Sequence, residues 1–209
     1  MLSNITTRNV LKTLSTNGMT PFGCRGIKRF RSKKKEKFLM VGSSGQIGSS
    51  LTYALMEKYG RDSVVVTDIK PGEDESIRFR YLDVMQPDSI TRAVAEERVT
   101  HIIHLASILS ALGEANPLLA MRLNTRGIEN VLEVARQTSC AVFSPSTIAV
   151  FGPSTPKVMT PDLTVMRPET MYGLTKVYLE LLGEYYWNKF GVDFRSIRYP
   201  GIISSGINI

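Results

Sequence analysis

Cysteines, long apolar runs and repeats are scarce or absent in this 209-residue sequence, and each absence excludes a class of protein. There are only two cysteines, Cys24 and Cys140, so a framework of disulfide bonds is excluded. No apolar run approaches the ~20 residues that a membrane-spanning helix needs. No internal repeat occurs, and Cys140 adjoins the apolar residues 141–143, which predicts a buried thiol. The composition, 43% hydrophobic and 22% charged, indicates one globular domain with a sizeable core.

Acidic residues are missing from the first 35 positions, and this absence separates a tail from the rest of the chain. Residues 1–37 hold ten of the 26 basic residues and one acid, Glu36, a net charge of +9, whereas residues 38–209 carry −2. The tail is rich in serine and threonine. Several of its residues fit a short amphipathic helix: Leu2, Ile5, Arg8, Val10, Leu11, Lys12 and Leu14. Such a composition is typical of a mitochondrial transit peptide.

We therefore predict that residues 1–37 are a basic tail that directs the protein to the mitochondrial matrix. The alternative is a basic tail without a specific partner, or one that binds nucleic acid through Lys33, Lys34 and Lys35. Early acid depletion together with many hydroxyl side chains favours the transit peptide, so we expect no nucleic-acid partner.

The stretch Gly42-Ser-Ser-Gly-Gln-Ile-Gly48 follows an apolar run and opens a segment whose apolar residues keep helical spacing. A strand, a glycine-rich turn and a helix start in this order form a dinucleotide-binding fingerprint. Gly42 permits the tight turn, Gly45 lets backbone amides approach a pyrophosphate, and Gly48 allows the helix to pack closely. The helix N-terminus then offers unpaired N–H groups to phosphates. A plain glycine-rich connection is the alternative, and the flanking elements make it the weaker interpretation.

Strand-like and helix-like segments alternate from residue 38 onward, which predicts an α/β domain with a doubly wound parallel sheet, the Rossmann class. The predicted strands are 38–41, 63–68, 78–82, 101–106, 140–143 and 192–199. The predicted helices are 47–59, 87–97, 117–137 and 170–190, with Pro87 suited to a first helical turn.

Asp68 lies 20 residues after Gly48, at the predicted end of the second strand. A carboxylate there accepts both ribose hydroxyls of an adenosine, and it repels the extra phosphate of NADP. We therefore predict that residues 38–209 form an NAD-binding domain that prefers NAD to NADP, with Lys70 weakening the preference slightly. The alternative is an acid that merely caps a turn at the end of the strand.

Tyr172 and Lys176 are four residues apart on a predicted helix, so their side chains share one face. A phenol with a pKa near 10 is a poor base at neutral pH, but a lysine one turn away and a positive nicotinamide ring favour the phenolate. Ser146 and Thr147 follow the fifth predicted strand, at the edge where such sheets bind ligands, and offer a hydroxyl to a substrate oxygen. The alternative is a surface tyrosine and lysine on an amphipathic helix, which the upstream fingerprint argues against.

Together these motifs resemble the extended short-chain dehydrogenase/reductase family, from about residue 38 to the end of the chain. The motifs that carry the resemblance are Gly42-Ser-Ser-Gly-Gln-Ile-Gly48, Asp68, Asp83-Val84, His104-Leu-Ala-Ser107, Asn124, Thr147, Tyr172-Gly-Leu-Thr-Lys176 and Arg198-Tyr-Pro-Gly201. Within the family the chain is most similar to the short-chain L-threonine 3-dehydrogenases. Four phrases carry that similarity: HLASILSA (104–111), SPSTIAVFGP (144–153), YGLTK (172–176) and RYPGIIS (198–204).

This resemblance implies NAD-dependent oxidation of L-threonine at its 3-hydroxyl to 2-amino-3-oxobutanoate, a step of threonine catabolism towards glycine. It implies that Tyr172 is the general base, and that Lys176 binds the nicotinamide ribose and lowers the pKa of the tyrosine. Thr147 falls at the family's serine/threonine position and would hold the reacting oxygen, with Ser146 as second choice and Ser110 as a substrate contact. No metal is implied. The implied cofactor contacts are Gly42, Ser44, Gly45, Gln46, Ile47, Gly48, Asp68, Asp83, Val84, Leu105, Ala106, Ser107, Asn124, Tyr172, Lys176, Tyr199, Pro200 and Ile202.

The family continues beyond the sixth strand into a smaller C-terminal lobe that completes the substrate pocket, whereas this sequence stops at Ile209. We therefore expect a C-terminally truncated chain with exposed apolar surface around Ile202 and Ile203. From this truncation we predict weak NAD binding, marginal stability and little or no turnover of L-threonine, while the motifs by themselves leave both an active and an inactive protein open. Two other functions also stay open, an NAD-dependent nucleotide-sugar epimerase or reductase and a non-catalytic NAD-binding module. We further expect a homodimer through helices 117–137 and 170–190, unless the chain's own sheet uses their apolar stripes.

Overall fold

A computed structural model describes residues 35–72 and 74–203, and most of the predicted transit peptide lies outside these described residues. The central sheet is built from six parallel strands: β1 (Phe38–Val41), β2 (Val64–Asp68), β3 (Phe79–Tyr81), β4 (His101–His104), β5 (Ala141–Phe143) and β7 (Phe194–Arg195). Their order is β3-β2-β1-β4-β5-β7. This is the order of a doubly wound dinucleotide-binding fold, so the predicted fold class is confirmed.

Five helices connect the strands in the described part of the chain: α1 (Gln46–Tyr59), α2 (Pro87–Glu97), α3 (Ser110–Ala115), α4 (Pro117–Thr138) and α5 (Met171–Phe190). Prolines stand at the start of α2 and α4, where no backbone hydrogen bond is lost. The side chains of Asn116 and Thr170 cap α4 and α5 by accepting backbone N–H groups three residues on. The residues that start these helices are therefore the ones that favour helix starts.

The two faces of the sheet bury separate apolar clusters, which is why its strands are apolar throughout. Leu39 of β1 packs on one face against α2, α4 and α5, through residues such as Ile90 and Ile128. Its neighbour Met40 points to the opposite face and packs against α1 through Leu51 and Leu55. Alternation along β1 thus places helices on both sides of the sheet, as a doubly wound fold requires.

The predicted sixth strand, residues 192–199, is wrong as a single element, because the chain changes sheets within it. Residues 194–195 form β7 of the main sheet, whereas β8 (Arg198–Tyr199) pairs in parallel with β6 (Ser146–Thr147) in a separate two-stranded sheet. Pro145 lies between β5 of the main sheet and β6 of the small sheet, and it has no N–H to donate to a neighbouring strand. Hydrogen bonds from Ser144 N to Arg195 O and from Ser146 N to Ile197 O continue the pairing of the same two segments on either side of this break.

Other differences from the sequence prediction are short elements. The helix α3 and the strand β6 were not predicted, since six and two residues are too few for a periodic signal. A 3₁₀ turn, Ile148–Val150, follows β6 directly. The thiol of Cys140 is buried as expected and donates to the carbonyl of Val99. Among the described residues, none of the helices combines the length and apolar character needed to cross a bilayer.

Candidate active site

The site forms where the strand order reverses, between β1 and β4, and the turn after β1 touches the loop after β4. Gly42 has φ +90°, a conformation that side-chain-bearing residues rarely adopt. A Cβ at this position would lie 2.5 Å from the backbone nitrogen of Ala106. The N–H groups of Leu105 and Ala106 both donate to the carbonyl of Val41. The two loops therefore form one wall of a crevice at the carboxyl ends of the strands.

The remaining two glycines of the turn differ in what surrounds them. A Cβ at Gly48 would lie 2.5 Å from the carbonyl oxygens of both Gly42 and Ser43, so the start of α1 needs glycine for packing. Among the described residues, apart from the two chain neighbours, a Cβ at Gly45 would have one atom within 4 Å, the carbonyl oxygen of Gly42 at 3.8 Å. The protein itself therefore does not require glycine at position 45, and the space beside it lies open to a ligand.

The N-terminus of α1 suits an anion. Its cap residue, Gly45, offers no side-chain hydrogen bond, and the first turn contains no acidic residue. The first N–H groups of a helix have no partner within the helix, and they carry the positive end of its dipole. A pyrophosphate fits this arrangement, because backbone N–H groups and open space beside Gly45 face the same crevice.

Asp68 stands at the end of β2, beside the glycine turn. Its Oδ2 accepts the backbone N–H of Ser44 at 3.0 Å, and its Oδ1 accepts that of Ile69 at 2.7 Å. The hydroxyl of Ser44 in turn donates to the carbonyl of Lys70. Oδ1 also accepts the backbone N–H of Lys70 at 3.4 Å. The carboxylate is thus held in a fixed orientation, and its Oδ2 keeps acceptor capacity for a further donor such as a ribose hydroxyl.

Asp83 and Val84 follow β3, beside the same crevice. The carboxylate of Asp83 accepts the N–H of Met85 at 2.9 Å, which folds the loop back on itself. The carbonyl of Val84 accepts the side chain of Asn130 at 2.9 Å, and the Val84 side chain is buried. An apolar wall of this kind suits the flat face of an adenine.

Asn124 lies below the crevice and holds its floor together. Its amide oxygen accepts the N–H of Ile108 and the hydroxyl of Ser107, and its amide nitrogen donates to Ile108 O and to Thr175 Oγ1. All of its donor and acceptor capacity is therefore used within the protein. The structure places Asn124 as the link between the loop after β4 and α5.

Tyr172 and Lys176 lie on the same face of α5, as their spacing predicted. The ammonium nitrogen of Lys176 is 5.5 Å from the centre of the Tyr172 ring and donates to the carbonyl of Pro145 at 3.0 Å. Lys176 is 5% exposed, and burial lowers the pKa of its ammonium group to about 8. Burial also raises the pKa of the half-buried Tyr172 phenol above its usual 10. The phenolate is therefore not favoured by the protein alone, and the expectation that Lys176 and a nicotinamide ring together favour it stays a prediction.

The two hydroxyl candidates after β5 have different surroundings. Thr147 is half-buried, and its Oγ1 accepts the N–H of Ala149 at 3.2 Å, so its own hydrogen remains available for donation. Ser146 is buried, and its hydroxyl donates to the carboxylate of Glu180. The structure therefore leaves Thr147 able to donate to a substrate oxygen and commits the hydroxyl hydrogen of Ser146 to Glu180.

The loop after β8 approaches the glycine turn from the other side. The side-chain amide of Gln46 donates to the carbonyl of Ile202 at 3.3 Å, across 156 residues of sequence. Ile202 is partly buried and packs against the core, whereas Ile203 is 76% exposed, so the expected exposure holds for Ile203 and only in part for Ile202. Pro200 is exposed, and the Tyr199 ring is buried below it. Ser110, the expected substrate contact, is exposed at the start of α3.

His104 ends β4 beneath this crevice, and sequence reasoning gave it no separate role. It is 3% exposed, and within the described part of the chain its Nδ1 has no hydrogen-bond partner. Burial, helped by the nearby positive charge of Lys176, lowers its pKa to about 3. The imidazole is therefore neutral, and the only signal in the sequence was a histidine inside an apolar strand.

A second cleft, of about 330 Å³, opens at the amino ends of the strands, away from the glycine turn. Its lining includes Lys37, Arg78 and Arg80. Glu97 lies 3.7 Å from Lys37 and 3.8 Å from Arg78, and Glu96 lies 2.7 Å from Arg80. These cations already pair with carboxylates of the protein, so this cleft is a weaker candidate for an anion-binding site than the crevice beside Gly45.

The geometry of the crevice agrees with a known family. A family model described as the NAD dependent epimerase/dehydratase family matches residues 38–208. The chain belongs to that family. NAD is the family's cofactor, and the open turn at Gly45, the uncapped start of α1 and the carboxylate of Asp68 fit such a dinucleotide.

Individual relatives narrow the comparison. The mitochondrial L-threonine 3-dehydrogenase of Bos taurus is 42% identical over 179 residues, which are 84% of this chain and 48% of that protein. The crystal structure of L-threonine dehydrogenase from Phytophthora infestans is 58% identical with a TM-score of 0.80, covering 83% of this chain and 56% of that one. The Clostridium difficile L-threonine dehydrogenase is 46% identical with a TM-score of 0.79, covering 81% and 55%. The chain thus spans about half the length of the proteins it matches.

Proposed function

We propose that this chain binds NAD and carries the catalytic groups of a short-chain L-threonine 3-dehydrogenase, which oxidises L-threonine to 2-amino-3-oxobutanoate. The observation that carries the proposal is the arrangement of Tyr172, Lys176 and the free donor of Thr147 around one edge of the crevice. The 58% identity to the Phytophthora infestans enzyme supports threonine as the substrate. A nucleotide-sugar epimerase remains the second candidate, because the family includes epimerases by name.

The cofactor would lie with its pyrophosphate at the start of α1, beside Gly45. Asp68 would accept the hydroxyls of the adenosine ribose, and the walls at Val84 and Ala106 would flank the adenine. Lys176 donates one hydrogen to Pro145 O and keeps two more donors, which suit the two hydroxyls of the nicotinamide ribose. NAD supplies one piece of chemistry when bound, since its nicotinamide ring accepts the hydride from the substrate carbon.

The remaining chemistry belongs to the chain's own side chains. Thr147 would donate to the 3-hydroxyl oxygen of threonine and orient it, while the Tyr172 phenolate would take the hydroxyl proton as general base. Burial keeps the Tyr172 phenol protonated in the protein alone. The positive charge of a bound nicotinamide ring, together with Lys176, would favour the phenolate. We therefore expect the base to become competent only when cofactor is bound.

We extend the proposal to location and assembly. The mitochondrial Bos taurus enzyme supports delivery of this protein to the mitochondrial matrix by residues 1–37. A homodimer would form through α4 and α5. Within one chain these two helices pack on each other, and the hydroxyl of Tyr178 donates to Glu129 at 2.7 Å. Leu181 and Tyr185 remain 54% and 51% exposed on α5, which supports a partner on that face.

NADH formation by the purified chain tests the proposal, with L-threonine as substrate and UDP-glucose as the competing substrate. NADH formation with L-threonine and no epimerisation of UDP-glucose would support the proposal. In a full-length relative, Tyr172→Phe should abolish turnover and leave NAD affinity nearly unchanged, because it removes only the base. NAD binding without turnover of either compound would support the non-catalytic module instead, and epimerisation would support the second candidate.

A further inference from the structure

Three polar side chains next to the crevice form a closed network: Ser146, Glu180 and Arg198. Arg198 binds both oxygens of Glu180, from Nε to Oε1 at 2.9 Å and from Nη2 to Oε2 at 2.7 Å. The hydroxyl of Ser146 donates to the same Oε1. Ser146 and Arg198 are also direct neighbours across the β6–β8 pair. The Glu180 carboxylate therefore joins both strands of the small sheet to α5.

This network lies one helical turn from Lys176. Residues 172, 176 and 180 follow each other at intervals of four and share the face of α5 that meets β6. Lys176 donates to the carbonyl of Pro145, and Glu180 accepts from the hydroxyl of the next residue, Ser146. Two successive turns of α5 thus contact two successive residues, Pro145 just before β6 and Ser146 at its start.

Arg198 is also anchored on its other side, so the network cannot shift freely. Its Nη1 donates to the carbonyl of Asp162 at 2.9 Å, and its guanidinium lies 5.3 Å from the centre of the Phe151 ring. The side chains of Glu180 and Arg198 are only 15% and 24% exposed. A partly buried, bidentate pair of this kind has a well-defined geometry, because a planar guanidinium matches a carboxylate in one orientation.

We propose that Glu180 and Arg198 are positioning residues, which through Ser146 hold the Pro145 carbonyl at the place where it fixes the ammonium group of Lys176. The meaning for catalysis depends on the proposed function, in which Lys176 binds the nicotinamide ribose. The network also explains why Ser146 is buried and donates its hydroxyl hydrogen to Glu180, whereas the adjacent Thr147 is left for the proposed site. Loss of the network should affect the nicotinamide end of the crevice and not the adenosine end.

Calorimetric binding of NAD and ADP distinguishes this role from general support of the fold, since ADP lacks the nicotinamide ribose. We expect Ser146→Ala and Arg198→Lys to weaken NAD binding about tenfold, the equivalent of one hydrogen bond to a charged group, and to leave ADP binding unchanged. Arg136→Lys is the matched control, because Arg136 makes the same bidentate contact with Glu133 on an exposed face of α4. Equal weakening of NAD and ADP, or no weakening of either, would overturn the proposal.

A second measurement does not depend on NAD binding. Reductive methylation of the cofactor-free protein, followed by mass spectrometry, reports how far each lysine is protected. Lys176 should be methylated slowly in the wild-type chain and several-fold faster in both variants, whereas Lys37, which lies at the opposite edge of the sheet, should not change. Unchanged protection of Lys176, or equal acceleration at Lys37, contradicts the positioning role. A wild-type chain that binds ADP but not NAD would refute the proposed function, and this labelling result would then decide the positioning role alone.

Discussion

The carboxylate of Asp68 accepts the backbone N–H of Ser44 at 3.0 Å and so joins the end of β2 to the glycine turn. This contact orients an acid towards the place that we propose for an adenosine ribose, next to the uncapped start of α1. The position of the acid relative to the turn is therefore set by the fold before any ligand binds, and the selectivity of the site for NAD is expected to follow from it.

The first prediction concerns this selectivity. The wild-type chain should bind NAD more tightly than NADP, because Asp68 repels a 2′-phosphate. Asp68→Asn should reduce the ratio of the two affinities by about tenfold, since hydrogen bonds to a charged group are worth ~1.5–3 kcal/mol. Calorimetry with both cofactors measures the ratio, and Asp74→Asn serves as control. Equal affinity of the wild-type chain for NAD and NADP contradicts the role of Asp68.

The second prediction separates Gly45, the cap residue of α1, from Gly48 within its first turn. Gly45→Val should abolish NAD binding with little change in melting temperature, because the new side chain would enter the open crevice. Gly48→Ala should lower the melting temperature markedly, because its Cβ would lie 2.5 Å from two backbone carbonyl oxygens. Differential scanning fluorimetry and calorimetry provide both readouts. A strongly destabilised Gly45→Val variant would show that the space beside Gly45 is not a ligand site.

The third prediction concerns the substrate oxygen. Thr147→Val keeps the shape of the side chain and removes its donor, so turnover of L-threonine should fall by about a hundredfold or more while NAD affinity is kept. The loss should appear in kcat, because the contact strengthens as charge develops on the oxygen. Steady-state kinetics measures it. If Thr147→Val retains full turnover, Ser146 becomes the better candidate.

The fourth prediction is a pH dependence of stability. The pKa of His104 is lowered from 6.5 to about 3 in the folded protein, so the unfolded chain binds more protons between these values. The folded state should lose stability as the pH falls from 6.5 to 3, by an amount on the order of 4 kcal/mol. His104→Leu should remove this part of the acid sensitivity, and His101→Gln should not. Urea unfolding at a series of pH values measures it, and an unchanged slope in His104→Leu contradicts the prediction.

The fifth prediction concerns assembly. Leu181→Glu places a charge on the exposed apolar face of α5 and should convert the proposed dimer to monomer. Leu163→Glu is the control, because Leu163 is 94% exposed on the loop that precedes α5 and is not part of the helix. Sedimentation velocity distinguishes the two states. A wild-type chain that sediments as a monomer would indicate that α4 and α5 use their apolar surface only within the chain.

The sequence by itself determined the fold class and the position of the glycine turn at which we propose that phosphates bind. Apolar runs of strand length, the spacing of the glycines and the position of Asp68 are local patterns, and each depends on residues close together in the chain. The four-residue interval between Tyr172 and Lys176 likewise predicted a shared helix face, because helix geometry fixes that relationship without any tertiary contact.

Only the tertiary structure decided which polar groups are free. Ser146 and Thr147 are adjacent and chemically alike, yet Glu180 takes the hydrogen of one, and a backbone N–H leaves that of the other available. The break between β7 and β8 depends on pairing with residues about fifty positions earlier. Burial raises the pKa of the Tyr172 phenol. How far a side chain is buried depends on packing from several elements, so no local sequence pattern encodes this shift.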